Sequence, residues 1–291
     1  MKKILVPVDF SHHTDITLSY ALQYAKNFTS EILLYHTYFD QIVITDSTFP
    51  ETIDMNTMYN EELMKEILHQ SEKKLSELEN KIMAKIKNEN INGVTVRTAI
   101  TGGDIESELK EICDEYQPDL VVLGNRGEGK NIGIWGRIST YIVNHVNNPV
   151  MMIPEIKGFL GFGNIMVGVD LGEENQALIE RVLLLFHSFP VTLFCVHFLI
   201  PRKQKEEKER FRALMNEFSN KELKGKISFE MIVIQEDNQK AIDTYIREHN
   251  IELIAFQPHK RSIFYTLFTA NITKKNLFAT NIPLLAMPVK N

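Results

Sequence analysis

The chain repeats itself, and that repeat constrains its fold more than any other feature. Met1–Ser11 reads MKKILVPVDFS and Phe162–Gly172 reads FGNIMVGVDLG. Each apolar run ends in an aspartate, Asp9 or Asp170, 161 positions apart. Further on, Asp119–Leu123 (DLVVL) is answered by Glu252–Phe256 (ELIAF). Each half closes on Asn-x-Pro and an apolar run, Asn147–Pro154 and Asn281–Pro288. These later matches lie 133 or 134 positions apart, so the first copy carries about 27 extra residues between its second and third strands. The repeat predicts two homologous domains, 1–154 and 162–291, joined by Glu155–Gly161 (EIKGFLG).

Within each half, apolar runs of strand length alternate with helix-period segments, the signature of βαβ units and a parallel sheet. The first half offers strands at Lys3–Val8, Glu31–Tyr38, Val94–Thr101, Asp119–Gly124 and Val150–Ile153. The second offers Asn164–Val169, Val191–Phe198, Phe229–Ile234, Glu252–Phe256 and Leu284–Met287. Ile105, Leu109, Ile112 and Cys113 mark one helical face at i, i+4, i+7 and i+8. Glu61–Lys87 and Gln204–Glu222 read as charged helices with solvated flanks. The fold class is therefore α/β: two Rossmann-like domains, each an open five-stranded parallel sheet with helices on both faces.

Composition excludes several classes. With 44% hydrophobic and 24% charged residues among 291, a packed globular chain is expected. A net charge of −6 lacks the basic excess of a duplex nucleic-acid binder. No apolar stretch reaches the roughly 18 residues of a membrane helix. Asp9 interrupts the first apolar run too early for a secretory leader. Two cysteines, Cys113 and Cys195, make no disulfide framework, so a reducing cytoplasm is the expected setting.

In open parallel sheets, ligands bind beyond the carboxyl ends of the strands. Two polar elements should meet there in the first half: Pro7-Val8-Asp9-Phe10-Ser11, and Gly124-Asn125-Arg126-Gly127-Glu128-Gly129-Lys130. Glycines let backbone N–H groups approach phosphate oxygens, and Arg126, Lys130 and Arg137 could supply countercharge. The same residues also suit an exposed turning loop, and both readings stand at this point. Gly124-x4-Gly129-Lys130 fits a P-loop until Asn131, which replaces the Mg²⁺-ligating Ser/Thr. Asp104, in Thr101-Gly102-Gly103-Asp104, is expected to cap a helix.

Ile4-Leu5-Val6-Pro7-Val8-Asp9-Phe10-Ser11, Leu33–Thr37, Gly124-x2-Gly127…Gly136 and Asn148-Pro149-Val150 together resemble the universal stress protein family. The resemblance spans the chain as a tandem pair, strongly in the first half and in outline in the second. It implies the adenine nucleotide α-hydrolase-like form of the fold, with the domains pairing through their last strands. It also implies an ATP-type ligand with Mg²⁺. Carried over by position, Asp9 (with Pro7 and Val8) and Thr37 would hold adenine and ribose. Gly124, Gly127 and Gly136 would hold the phosphates. Two departures stand out. The family spacing is Gly-x2-Gly-x9-Gly-Ser/Thr, whereas eight residues separate Gly127 from Gly136. Arg137 takes the Ser/Thr place, with Ser139 two positions on. Arg137 could clamp phosphate or fill the pocket.

Opposite Gly124 and Gly127 in the second half stand Gln257 and Lys260, around a Pro258 that removes a backbone donor. Ala270-Asn271 replaces Gly136-Arg137. The second half therefore lacks the cradle, and Asp170 is expected only to cap the next helix. His36 and His197 read as sheet-end residues, Cys113 and Cys195 as buried inert thiols, and Trp135 as a lid or a packing plug. Adjacent His12 and His13 should face apart and share no ion. No catalytic constellation or metal cluster appears at diagnostic spacing. The expectation is a non-enzymatic cytoplasmic stress-response protein with ATP in domain 1 only. Its rivals are a nucleotide-free interaction module and a weak ATPase, and association of two chains is left open. Gln41–Leu75, with Met55, Met58, Leu63, Ile67 and Leu68, is expected to form an amphipathic cover over the first site or a domain interface.

Overall fold

The apolar runs become strands and the periodic segments between them become helices. The protein is seen in a computed structural model describing residues 1–38, 53–124, 137–172, 174–199, 204–219, 226–233, 238–258 and 282–288. The first half runs β1 (Lys2–Pro7), α1 (Thr14–Ala25), β2 (Ser30–Tyr38), α2 (Ile53–Asn88), β3 (Val94–Gly102), α3 (Ile105–Tyr116), β4 (Leu120–Gly124), α4 (Arg137–His145) and β5 (Val150–Ile153). The second runs β6 (Asn164–Gly168), α5 (Asn175–Leu185), β7 (Thr192–Leu199), α6 (Gln204–Ser219), β8 (Ile227–Val233), α7 (Asn238–Glu248), β9 (Leu253–Phe256) and β10 (Leu284–Ala286).

The two five-stranded halves merge into one ten-stranded sheet, ordered β3-β2-β1-β4-β5-β10-β9-β6-β7-β8. Pairing is parallel within each half. At the seam β5 and β10 run antiparallel, with Leu285 opposite Met151 and Ala286 opposite Val150. The expected contact between last strands is thus the centre of the molecule. Strands buried on both faces read as unbroken apolar runs because helices cover both sides. Residues of α1, α2, α5 and α6 share one core layer. Those of α3, α4 and α7 share the other. Equivalent helices lying on the same face require a pseudo-twofold axis normal to the sheet at the seam.

Helix α1 is buried on more than one side. Leu18, Ala21, Leu22 and Ala25 are buried, and so are Thr17, Tyr20 and Tyr24. A helix buried nearly all round has two partners. The sheet takes one side. The junction takes the other: Tyr24 stacks on Phe189 at 5.6 Å and meets Phe186 edge-on at 5.8 Å. Tyr24 Oη donates to the Leu185 carbonyl at 2.9 Å, its own repeat equivalent 161 positions away. Leu160 N, in the linker, donates to Tyr20 Oη at 3.0 Å.

Much of the first copy's extra length enters α2, which has 36 residues against 16 in α6. Neither helix is merely a solvated flank: Leu75, Ile82 and Ile86 dock α2, and Phe211, Leu214 and Phe218 dock α6. Of the expected cover, residues 41–52 and the side chains of Met55 and Met58 lie outside what is described. Of the rest, Leu63 is exposed, while Ile67 and Leu68 are half-buried. Asp104 caps α3 as expected, accepting from Ser107 N at 3.1 Å.

Candidate functional site

The order β3-β2-β1-β4-β5 reverses direction between β1 and β4, and the crevice for a ligand opens at that switch point. Pro7 ends β1, Val8 N donates to Tyr35 O of β2 at 2.8 Å, and Asp9 follows in the exposed loop. Thr37 lies at the carboxyl end of β2 and Gly124 ends β4. The structure therefore gathers Pro7, Val8, Asp9, Thr37 and Gly124 along one carboxyl edge. Arg137 opens α4, and Ser139 is buried in its first turn. Arg126, Gly127, Lys130 and Gly136 lie outside the described residues, as do Asn131 of the near P-loop and Trp135.

Asp9 organises its own loop. Its Oδ1 accepts from Ser11 N at 3.0 Å and from Thr14 Oγ1 at 3.3 Å. Its Oδ2 has no hydrogen-bond partner among the described residues. The turn forces Phe10 into the left-handed region at φ 58°. The strain is offset by packing: the Phe10 ring lies 4.4 Å from the His36 ring, and Lys74 of α2 sits 5.6 Å above it. The middle of α2 thus borders the Asp9 loop. His36 Nδ1 bonds the Val8 carbonyl at 2.8 Å, and burial holds the imidazole below its ordinary pKa. His36 is the sheet-end residue expected, clamping β2 to the loop that presents Asp9.

The second domain repeats this frame residue for residue. Asp170 Oδ1 accepts from Gly172 N and Asn175 Nδ2 at 3.1 Å, Leu171 takes φ 61°, and His197 Nδ1 bonds the Val169 carbonyl at 2.8 Å. The frame is shared; the contents differ. Buried Phe198 replaces Thr37 in the repeat. Gln257, opposite Gly124, is buried and donates through Nε2 to Glu174 Oε2. The second domain thus carries a side chain at a position where the first has none. At Gly124 even a Cβ would come 3.1 Å from Thr17 Oγ1 and 3.8 Å from His13 Cβ. Lys260, Ala270 and Asn271, the other positions of the expected loss of the second cradle, lie outside the described residues.

Sequence reasoning missed one cluster. His12 and His13 lie in a turn rather than a helix or strand, so the rule that neighbours face apart does not govern them. Their rings sit 4.0 Å apart and both face Glu155, the first linker residue. Cys113 and Cys195 are buried as expected, and burial pushes the Cys113 thiol up to about 12.

These features define a class: a tandem α/β protein whose two halves share one strand-end frame and differ in the side chains that stand on it. The universal stress protein family model matches residues 1–154 and again 161–288. The chain belongs to the universal stress protein family. It is 24% identical over 155 residues to Universal stress protein MJ0577 of Methanocaldococcus jannaschii, covering 52% of this chain and 94% of that protein. A universal stress protein from Archaeoglobus fulgidus superposes with a TM-score of 0.68 at 16% identity, over 98% of this chain and 96% of that one. A putative universal stress protein from Pseudomonas aeruginosa gives 0.56 at 14%, over 99% and 93%. The two structural likenesses extend across both halves. Among the described residues no helix is long and apolar enough to cross a membrane.

Proposed function

We propose that this protein is a cytoplasmic stress-response protein that binds one ATP-type nucleotide, in domain 1, without turning it over efficiently. The observation that supports the reading is the contrast at one position: Gly124 carries no side chain and lies close to Thr17 and His13, whereas the buried Gln257 carries one that is hydrogen-bonded to Glu174. Pro7, Val8, Asp9 and Thr37 border the crevice where adenine and ribose would lie. Gly124 and the N-terminus of α4 border the phosphate end, where a helix dipole favours anions. The residues present fit such a ligand, and bound Mg²⁺ would neutralise phosphate charge.

Efficient hydrolysis requires an oriented water and a held metal. Among the described residues Asp9 is the acid that the motif brings to the crevice, at the nucleoside end, and Glu128 of the glycine loop lies outside them. Steady ATP hydrolysis far below the ~10 s⁻¹ typical of enzymes is expected. Titration calorimetry tests the binding claim. Asp9→Ala should weaken ATP at least about tenfold, a change of roughly 1.4 kcal/mol. Asp170→Ala, which removes the same loop bonds in the plugged domain, should change affinity less than twofold. Equal losses would refute the asymmetry, and absence of binding would favour a nucleotide-free interaction module.

A further inference from the structure

We infer that His12, His13 and Glu155 form a divalent transition-metal site, of the Zn²⁺ class, which fastens the Asp9 loop to the interdomain linker. His12 Nε2 lies 3.5 Å from Glu155 Oε1, and His13 Nε2 lies 3.7 Å from Glu155 Oε2. Both separations are too long for hydrogen bonds, which close to about 2.7–3.2 Å. They lie near the roughly 3.3–3.6 Å that separates neighbouring ligands on Zn²⁺ at bond lengths of about 2.0–2.2 Å, though each imidazole faces a different carboxylate oxygen, so a small contraction onto the ion completes the set. One ligand atom from each residue falls within 4.8 Å of the others.

The ligand chemistry selects the ion. Two imidazoles and one carboxylate suit Zn²⁺ and similar borderline ions, whereas Mg²⁺ and Ca²⁺ prefer all-oxygen sets. Burial is graded. The His13 side chain is 4% exposed, against 78% for His12 and 52% for Glu155, so the site has a fixed inner ligand and an outer side open to water. Three protein ligands with a water completing the set is the pattern of an open zinc site.

The repeat supplies an internal control. Glu174 stands where His13 stands in the first copy, and Gln257 donates to it. The second domain closes this corner with a side-chain hydrogen bond. The first domain, with glycine at 124, leaves His13 facing the linker. An ion there joins the turn that follows Asp9 to the segment whose Leu160 is held by Tyr20. Metal occupancy would therefore stiffen both the mouth of the crevice and the domain junction.

The test is a Zn²⁺ titration of the tag-free full chain, without nucleotide, so that failure of the ATP reading leaves it unaffected. One Zn²⁺ per chain is expected, with a rise in melting temperature. His12→Ala and Glu155→Gln, both at exposed positions, should each weaken uptake at least about tenfold while circular dichroism stays unchanged. His145→Ala, at an exposed helix end, should leave uptake intact. Absence of uptake by the full chain would overturn the site. So would equal uptake by His12→Ala and Glu155→Gln.

Discussion

Single residues in this chain hold loops in shapes that their neighbours would not choose. Gly161 adopts φ +132°, and a Cβ there would lie 2.5 Å from the Glu252 carboxylate. That carboxylate accepts from Gly163 N and Asn164 N, as Asp119 accepts from Lys3 N at 2.8 Å in the first repeat. Gly161→Ala should therefore cost about 1–3 kcal/mol, read by urea denaturation, through backbone strain and displacement of Glu252. His36 gives a second residue-scale prediction. Burial lowers its pKa, so the unfolded chain takes up a proton first as pH falls. Stability should decline as pH drops through the ordinary value of 6.5 and level off once the folded imidazole also protonates. Comparing the midpoint against pH for the wild type and His36→Gln should show this component missing from the variant. Identical profiles would mean that His36 makes no net contribution.

At the scale of elements, strands and helix cores were legible because burial imposes a period on the sequence, 2 or 3.6, that local reading detects. Helix α3 is the clearest case: Leu109 and Cys113 lie on its buried side, four positions apart. In helix α1, Tyr20 and Tyr24 face the linker and the second half, which no local pattern reveals. The charged helices were read as solvated since their charges outnumber the few apolar residues that dock them. Ile82 of α2 is one of those few, 6% exposed. Ile82→Ala should cost about 2–5 kcal/mol. Lys73→Ala on the exposed side should stay within about 0.5 kcal/mol. Thermal or chemical unfolding of the two variants distinguishes a docked helix from a free arm.

For the whole molecule, the repeat predicted the two halves, and the seam unites them. One sheet crosses the junction, and Tyr24, Phe162, Phe186 and Phe189 pack beside it, with Phe162 and Phe186 centred 5.3 Å apart. Unfolding should accordingly be one transition. Tyr24→Phe leaves the Leu185 carbonyl buried without its donor, so it should lower stability by about 1–3 kcal/mol while keeping that transition single. Two resolved calorimetric peaks would show independent domains instead. The candidate site was legible in outline, since Asp9 and Gly124 follow from strand ends that sequence could place, and the family resemblance adds Thr37. In the second half the loss of glycine was legible, but not the bond from Gln257 to Glu174, because that pairing joins residues 83 positions apart. The cluster of His12, His13 and Glu155 escaped for the same reason.

The central claim is that a duplicated frame retains one ligand site and plugs the other. Native mass spectrometry of the intact chain with saturating ATP and Mg²⁺ tests it most directly. The account predicts a single bound nucleotide per chain, abolished by Gly124→Gln, the residue that the second domain carries at the equivalent position. Two nucleotides per chain, or one that survives Gly124→Gln, would contradict it.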